Sequence, residues 1–355
     1  MNISTLTIKS LLPNRRSLIS VKTAEFNYHL PKELIAQTPL AVRDESRLLV
    51  FERQSGKITH MKFSFIERFL HKGDLLVVNK SRVLPARLIG RKETGGKVEV
   101  LLLRKINDTR WEALVGGRHI YKGKIIYFPQ QIRAEIIENL EGAKRIIEFE
   151  NPLDGRLDRI GEIPLPPYIH KQLQNPERYQ TVFAKEPGSA AAPTAGLHFT
   201  EELIEKLRSS GVEFAEITLH IGLDTFAPIT EENVEDHVIH TEWCEIDEKE
   251  AEKINQTKIS GGRIVAVGTT SVRTLETASY GRLVKPVCKP TNLYIYPGYE
   301  FKVVDCMVTN FHLPQSTLIA LVSAFMGKEN VMRCYEEAVR EKYRFYSFGD
   351  AMLII

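Results

Sequence analysis

The chain is 355 residues long, 43% hydrophobic and 26% charged, with 48 Lys and Arg against 45 Asp and Glu for a formal net charge of +3. These proportions belong to a globular protein and exclude a disordered one, and the length predicts two domains with a sizeable buried core. A charge so near balance neither requires nor excludes a polyanionic partner, since a local patch is what binds phosphates, and no apolar run approaches the roughly 18–20 residues of a membrane span.

Residues 1–24 contain Lys9, Arg15, Arg16 and Lys22 but no acidic residue, a composition that fits a transit peptide as well as a simple extension. The segment lacks the continuous apolar core of a secretory signal, so a cytoplasmic protein is expected. Cys244, Cys288, Cys306 and Cys334 form no CxxC pair, which predicts reduced thiols and neither a zinc site nor a disulfide framework.

Apolar runs at residues 48–51 and 74–79 could supply strands of a larger sheet. From residue 88 to 150 the character changes to short β-prone runs (97–103, 110–114, 124–128, 132–137 and 145–149). Turn pairs such as Gly95-Gly96, Asn107-Asp108 and Glu141-Gly142 separate them, the pattern of a small antiparallel barrel or sandwich. After the Pro-rich segment Ile163-Pro164-Leu165-Pro166-Pro167-Tyr168, helices alternate with strands, which argues for a largely parallel α/β sheet. The expected architecture is thus an α/β domain with a mostly parallel sheet flanked by helices (25–84 and 155–355), an inserted antiparallel β-barrel (85–154) and an N-terminal extension (1–24).

Three strand-to-helix turns follow. Thr200 caps a helix that opens on Glu201 and Glu202 and stops at Gly211, and the strand at 212–219 then delivers His220 at its carboxyl end. An apolar strand from Arg263 runs into Gly268-Thr269-Thr270 and a helix bearing Arg273 and Glu276, a turn that offers free backbone N–H groups. A strand predicted over 301–308 leads to Thr309-Asn310-Phe311-His312, after which a buried helix over 318–326 is capped by Ser316 or Thr317. In open α/β sheets ligands bind beyond the carboxyl ends of parallel strands, so three such turns on one edge describe a site. Taken singly, each feature has a plainer explanation. A histidine at a strand end can be structural, Arg273 and Glu276 at i,i+3 can form a surface ion pair, and the aromatic cluster at 343–350 can be packing or a stacking platform for a nucleobase.

Together these segments resemble the S-adenosylmethionine:tRNA ribosyltransferase-isomerases over residues 26–355. The resemblance is carried by Tyr179-Gln180-Thr181-Val182-Phe183-Ala184 and by Gly188-Ser189-Ala190-Ala191-Ala192-Pro193-Thr194-Ala195-Gly196-Leu197-His198-Phe199-Thr200. It continues in His220-Ile221-Gly222-Leu223-Asp224-Thr225-Phe226, in His237 and His240 before Glu242, in Gly268-Thr269-Thr270-Ser271-Val272-Arg273-Thr274-Leu275-Glu276 and in Thr309-Asn310-Phe311-His312-Leu313-Pro314. Arg43-Asp44-Glu45-Ser46-Arg47 and Asn79-Lys80-Ser81-Arg82-Val83-Leu84-Pro85-Ala86-Arg87 look like the family too, although Lys80 stands where an acidic residue commonly follows the Asn.

The resemblance implies transfer and isomerisation of the ribosyl part of S-adenosylmethionine onto 7-aminomethyl-7-deazaguanine at the tRNA wobble position, giving epoxyqueuosine with loss of adenine and methionine. It also implies an α/β domain carrying an inserted barrel. A sulfonium acidifies the adjacent ribose carbon, so a base is needed there and then help for the departing adenine. On that chemistry His198, His220 and His312 are the candidate acid–base groups, with Asp224, Glu276 and Asp350 as alternatives or orienters. Gly268, Thr269, Thr270, Arg273 and Asn310 are assigned to the co-substrate. Arg43, Arg47, Arg82 and Arg87, together with Lys80, are assigned to tRNA phosphates. Asp224, Phe226, Arg344 and Tyr346 are assigned to the tRNA substrate, with Tyr346 or Phe226 stacking the splayed base. No prosthetic group, no metal, no membrane and a monomer are expected. A methyltransferase is disfavoured because no glycine-rich loop follows a first Rossmann strand, and a non-catalytic RNA-binding protein gives no reason for His-bearing turns at three strand ends.

Overall fold

The computed structural model describes residues 20–153, 155–222, 225 and 227–355. In chain order the strands are β1 (Arg47–Phe51), β2 (Ile58–Lys62), β3 (Leu75–Asn79) and the short β4 (Ser81–Val83). A second group follows: β5 (Arg87–Lys92), β6 (Lys97–Lys105), β7 (Arg110–Gly116), β8 (Ile125–Tyr127), β9 (Arg133–Asn139) and β10 (Lys144–Phe149). Then come α1 (Leu157–Ile160), β11 (Gly161–Glu162), β12 (Glu186–Ser189), α2 (Glu201–Ser209), β13 (Glu213–His220), β14 (Glu242–Ile246), α3 (Glu248–Ile259), β15 (Ile264–Val267) and α4 (Thr269–Thr277). The chain ends with β16 (Ser279–Tyr280), β17 (Leu283–Val284), β18 (Val287–Thr291), β19 (Cys306–Asn310), α5 (Thr317–Met326), α6 (Lys328–Arg340) and β20 (Ala351–Ile354). No helix among the described residues is long and apolar enough to cross a membrane.

Nine strands form the large sheet, in the order β18-β14-β13-β3-β15-β19-β20-β1-β2. Its middle, β13-β3-β15-β19, is parallel throughout, as is β20 with β1. The remaining neighbours, β18 with β14, β14 with β13, β19 with β20 and β1 with β2, are antiparallel. The expected mostly parallel sheet is therefore a mixed one, with four parallel and four antiparallel neighbour pairs, because periodicity cannot distinguish hairpin-like returns from crossovers. The parallel core reads as unbroken apolar runs because both of its faces are covered. Leu75 and Val77 of β3 point into one buried cluster, and Leu76 and Val78 point into the other.

Local signals place the helices well. Thr200 accepts a hydrogen bond from the Leu203 N–H (3.1 Å), and Ser316 accepts one from that of Ile319 (3.3 Å), so both caps satisfy donors that a helix start leaves open. The strand expected over 301–308 is instead confined to Cys306–Asn310. The N–H groups of Lys302, Val303 and Val304 donate to the Glu276 carboxylate, which removes them from any ladder.

Strands β5-β6-β7-β10-β9-β8 form an antiparallel barrel that closes through β8 on β5. Inward positions of β6 and β7 alternate with outward ones and are filled by Val98, Val100, Leu102, Trp111, Ala113 and Val115. The chain passes from the sheet into the barrel at residues 84–87 and returns through β11, which pairs with β5. At that junction a Cβ on Gly161 would lie 1.8 Å from the Pro85 carbonyl oxygen. Because the obstacle is backbone, Gly161→Ala is expected to part the two crossings and to cost about 1–3 kcal/mol in a urea titration. Gly116→Ala, whose Cβ would meet nothing nearer than 3.8 Å, is the control; equal midpoints for the two variants would contradict the account.

A candidate site at the carboxyl edge of the parallel strands

Because β13, β15 and β19 are mutually aligned through β3, the segments that leave them turn on one edge of the sheet. Ile221 after β13, Gly268, Thr269 and Thr270 after β15, and Thr309, Asn310, Phe311 and His312 at the end of β19 line a common cavity, at the edge where open α/β sheets bind ligands. Ala192, Pro193, Thr194 and Ala195 form another wall, and Tyr168, Tyr346 and Ser347 close it. Gly268 has φ +90°, a conformation that favours glycine, and from it α4 points its first, unshared N–H groups at the cavity edge. The Thr270 hydroxyl is buried and has no protein partner, so it is free to bond a ligand. Tyr346, also left-handed at φ 70°, is held by its N–H on the Phe311 carbonyl (3.1 Å) and by its own carbonyl accepting from Asn310 (3.3 Å). Its ring lies 4.7 Å from that of Tyr168, whose hydroxyl shares a hydrogen bond with Ser347.

His312 is the one imidazole among the described residues that line this cavity. Its backbone N–H donates to the Tyr335 hydroxyl (3.0 Å), and its Nδ1 lies 3.3 Å from the same oxygen. With the Tyr335 oxygen already accepting from the backbone, its buried proton has Nδ1 as acceptor. The network therefore selects the Nε2–H tautomer, and Nε2–H faces Thr309 Oγ1 at 3.2 Å. Burial pushes the ring down to about 3, so His312 is neutral and offers a donor, not a base, from Nε2.

His198 does not line this cavity. It sits one layer behind, where Asn310 Nδ2 donates to its Nε2 (3.2 Å) and its Nδ1 reaches Ser46 Oγ (2.8 Å), and it stacks on Phe63 at 5.1 Å. Burial, followed by the charges of Arg344 and Arg43, pushes its pKa down to about 3. A neutral His198 thus orients Asn310, whose carbonyl oxygen accepts from Thr194. Together with Arg43, Arg178 and Gly349 it lines a second, smaller cavity of ≈ 300 Å³. His220 lies apart from both, its ring packed where a Cβ on Gly188 would be 2.6 Å away and its pKa lowered by burial.

Of the predicted carboxylates, Glu276 and Asp350 are fully engaged. Glu276 accepts from the Tyr299 hydroxyl and from three consecutive backbone N–H groups. Asp350 accepts from the N–H groups of Arg47 and Arg344, and burial raises its pKa. Arg273 does not meet Glu276 in a surface pair; both are buried, and Arg273 is paired with Glu242. Glu242 in turn accepts from the N–H of Gly222 and the hydroxyl of Thr225 and lies 3.0 Å from His240. Burial alone would raise its pKa, but the His240 hydrogen bond and the Arg273 charge hold it below the usual carboxylate range. Glu242 and His240 belong to a motif visible in the sequence, whereas nothing in the sequence marks Tyr335, 23 residues beyond His312. Of the basic residues, Arg43 donates to the carbonyls of Leu197, Glu177 and Gln180, and Arg344 to that of Thr38. Arg47 covers the Tyr343 ring at 3.8 Å. Arg82 pairs with Glu177, Arg87 with Glu99 and Glu162, and Lys80 with Glu186. None of them lines the larger cavity. Asp224 and Phe226 lie outside the described residues. Among those described, no group of three or more His, Cys, Asp or Glu could hold a metal ion.

A mixed α/β sheet with an inserted closed barrel, and a tyrosine-walled cavity with a few buried polar groups at the carboxyl edge of its parallel strands, defines an α/β enzyme with a small-molecule site. The family model described as queuosine biosynthesis protein matches residues 23–354, and the chain belongs to that family. The S-adenosylmethionine:tRNA ribosyltransferase-isomerase of Carboxydothermus hydrogenoformans is 54% identical over 338 residues, 94% of this chain and 100% of that protein. The protein of the same name from Thermoanaerobacter sp. is 53% identical over 341 residues, again 94% and 100%. A crystal structure of the S-adenosylmethionine tRNA ribosyltransferase of Thermotoga maritima matches with a TM-score of 0.54 at 41% identity, covering 93% of this chain and 100% of that one. The chain is accordingly a transferase-isomerase.

The hydrogen-bond arrangement around His312 is open to direct test. In ¹⁵N spectra of histidine-labelled protein, His312 is expected as the Nε2–H tautomer, and Tyr335→Phe, which removes the proton that Nδ1 accepts, is expected to convert it to a mixture; an Nδ1–H signal in the unaltered protein would contradict the assignment. Glu276→Ala strands three buried N–H groups and is expected to destabilise the fold by about 2–5 kcal/mol, with turnover per folded molecule unchanged. A loss of turnover at full stability would instead place Glu276 in the chemistry.

Proposed function

We propose that the chain transfers and isomerises the ribosyl moiety of S-adenosylmethionine onto 7-aminomethyl-7-deazaguanine at the wobble position of tRNA, giving epoxyqueuosine-tRNA with release of adenine and methionine. The observation that carries this reading is the cavity: loops from three parallel strands, the start of α4 and an aromatic wall converge on it. Family membership supplies the reaction class. S-adenosylmethionine acts as a co-substrate, with no prosthetic group or metal, in a monomeric cytoplasmic enzyme.

The geometry supports the following residue roles. The Gly268-Thr269-Thr270 turn and Asn310 hold the co-substrate, with Thr270 contributing its uncommitted hydroxyl. His312, neutral and protonated at Nε2, exchanges its bond to Thr309 Oγ1 for one to the adenine as it departs, so that negative charge on the leaving group meets a donor in a low-dielectric site. Tyr346 and Tyr168 stack the deazaguanine drawn out of the anticodon loop. Arg273 acts through Glu242, which fastens Gly222 and Thr225 at the cavity mouth. Arg43 and Arg344 act on tRNA beside the smaller cavity.

The test is to incubate purified protein with S-adenosylmethionine and tRNA carrying the 7-aminomethyl-7-deazaguanine base and to analyse small products and digested nucleosides by mass spectrometry. Adenine, methionine and an epoxycyclopentanediol-bearing nucleoside are expected, all dependent on that base, and His312→Gln is expected to lower kcat by about 10²–10³ with intact folding. S-adenosylhomocysteine among the products would identify a methyltransferase instead, and tRNA binding with the co-substrate untouched would remove the catalytic reading.

A further inference from the structure

The cations of the barrel divide by position. Strand directions place the β5–β6 turn, the β7–β8 loop and the β9–β10 turn together at one rim, and the two crossings to the large sheet lie at the other. Towards the crossings, Arg87, Arg104, Arg110 and Arg133 are each paired with a glutamate at 2.7–3.1 Å. At the distal rim Arg91, Lys92, Lys97, Arg118, Lys122 and Lys124 have no carboxylate within ion-pair distance among the described residues, and most of them are exposed. Lys92 Nζ instead donates to the Arg118 carbonyl (2.8 Å), and Lys124 lies over the ring of Tyr121, itself 49% exposed. The rim's acidic residues, Glu93, Glu138 and Glu141, are outnumbered.

We infer that this distal rim is a docking surface for the phosphate backbone of a folded RNA, the stem of the tRNA whose wobble base enters the cavity; the inference rests on the substrate proposed above. Three loops held in register by a closed barrel present their charges without further ordering of the chain, and charges not neutralised within the protein keep their full attraction for phosphates. Such contacts set position and orientation but read no sequence, which suits a surface remote from the reacting base. An exposed tyrosine among them adds a face for a sugar or base edge.

Replacing Arg118, Lys122 and Lys124 together by glutamine tests the inference without touching the cavity, and replacing the paired Arg104 and Arg110 by glutamine is the control. Binding of full-length tRNA is measured between 50 and 200 mM salt, alongside steady-state turnover. The rim variant is expected to bind about tenfold more weakly at 100 mM salt, with a log–log salt slope shallower by about 2–3, one phosphate contact contributing about 0.7–0.9, while kcat at saturating tRNA and the KM for S-adenosylmethionine stay unchanged. The control is expected to match the unaltered protein. If the unaltered protein neither binds nor modifies tRNA, the substrate proposal falls and the rim goes with it; if it does both while the rim variant keeps the same affinity and slope, the rim alone is overturned.

Discussion

Parallel alignment of β13, β3, β15 and β19 is the constraint from which the rest of the molecule follows. Strands that point the same way must all release their chains at the same edge, and a parallel sheet needs layers on both faces, so the releases become loops leading into covering elements. Residues as distant in sequence as Ile221, Thr270 and Asn310 meet for that reason alone. The antiparallel flanks extend the sheet without adding a competing edge of this kind, and the barrel, inserted after β3, grows away from it.

Around the cavity, buried carboxylates and imidazoles serve largely as substitutes for secondary structure. The Glu276 side chain gathers the N–H groups that a further stretch of β19 would have paired, and so allows Val303 to join the core and Phe301 to pack on Phe325 of α5 as parts of a loop. Asp350 does the same for the turn before β20, and Glu242 for the loop after β13. Each acceptor commits its lone pairs to backbone donors whose desolvation would otherwise be uncompensated. Among the side chains lining the cavity, the Thr270 hydroxyl stands apart as a buried polar group with no protein partner, and that gives it chemical meaning.

Much of this was legible in the sequence, for identifiable reasons. Caps at Thr200 and Ser316 are local hydrogen bonds and were read correctly, and the barrel showed itself because short alternating strands between turn pairs have a period of their own. The three strand-end turns likewise came together as their motifs suggested. What stayed hidden is whatever depends on the partner of a strand or side chain. The antiparallel flanks, the diversion of residues 301–304 to Glu276, the pairing of Arg273 with Glu242 and the Tyr335 hydroxyl that fixes His312 are all non-local. Of the three candidate histidines, burial direction separates one lining the cavity from one behind it and one beside Gly188, and no period of two or 3.6 encodes that difference.

The place of β20 bears on the order in which the molecule assembles. It lies between β19 and β1, so the hairpin of β1 and β2, translated first, cannot join the sheet until a segment some 300 residues later has been made. Until then β1 and β19 each present an unpaired edge, the kind of surface that invites misassociation. The barrel has a more local character, since four of its six pairings join neighbours in the chain and the other two, β7 with β10 and β5 with β8, span only a few tens of residues, so less loop entropy opposes its closure. A nascent chain would thus carry a finished barrel on an unfinished sheet, with the cavity formed last.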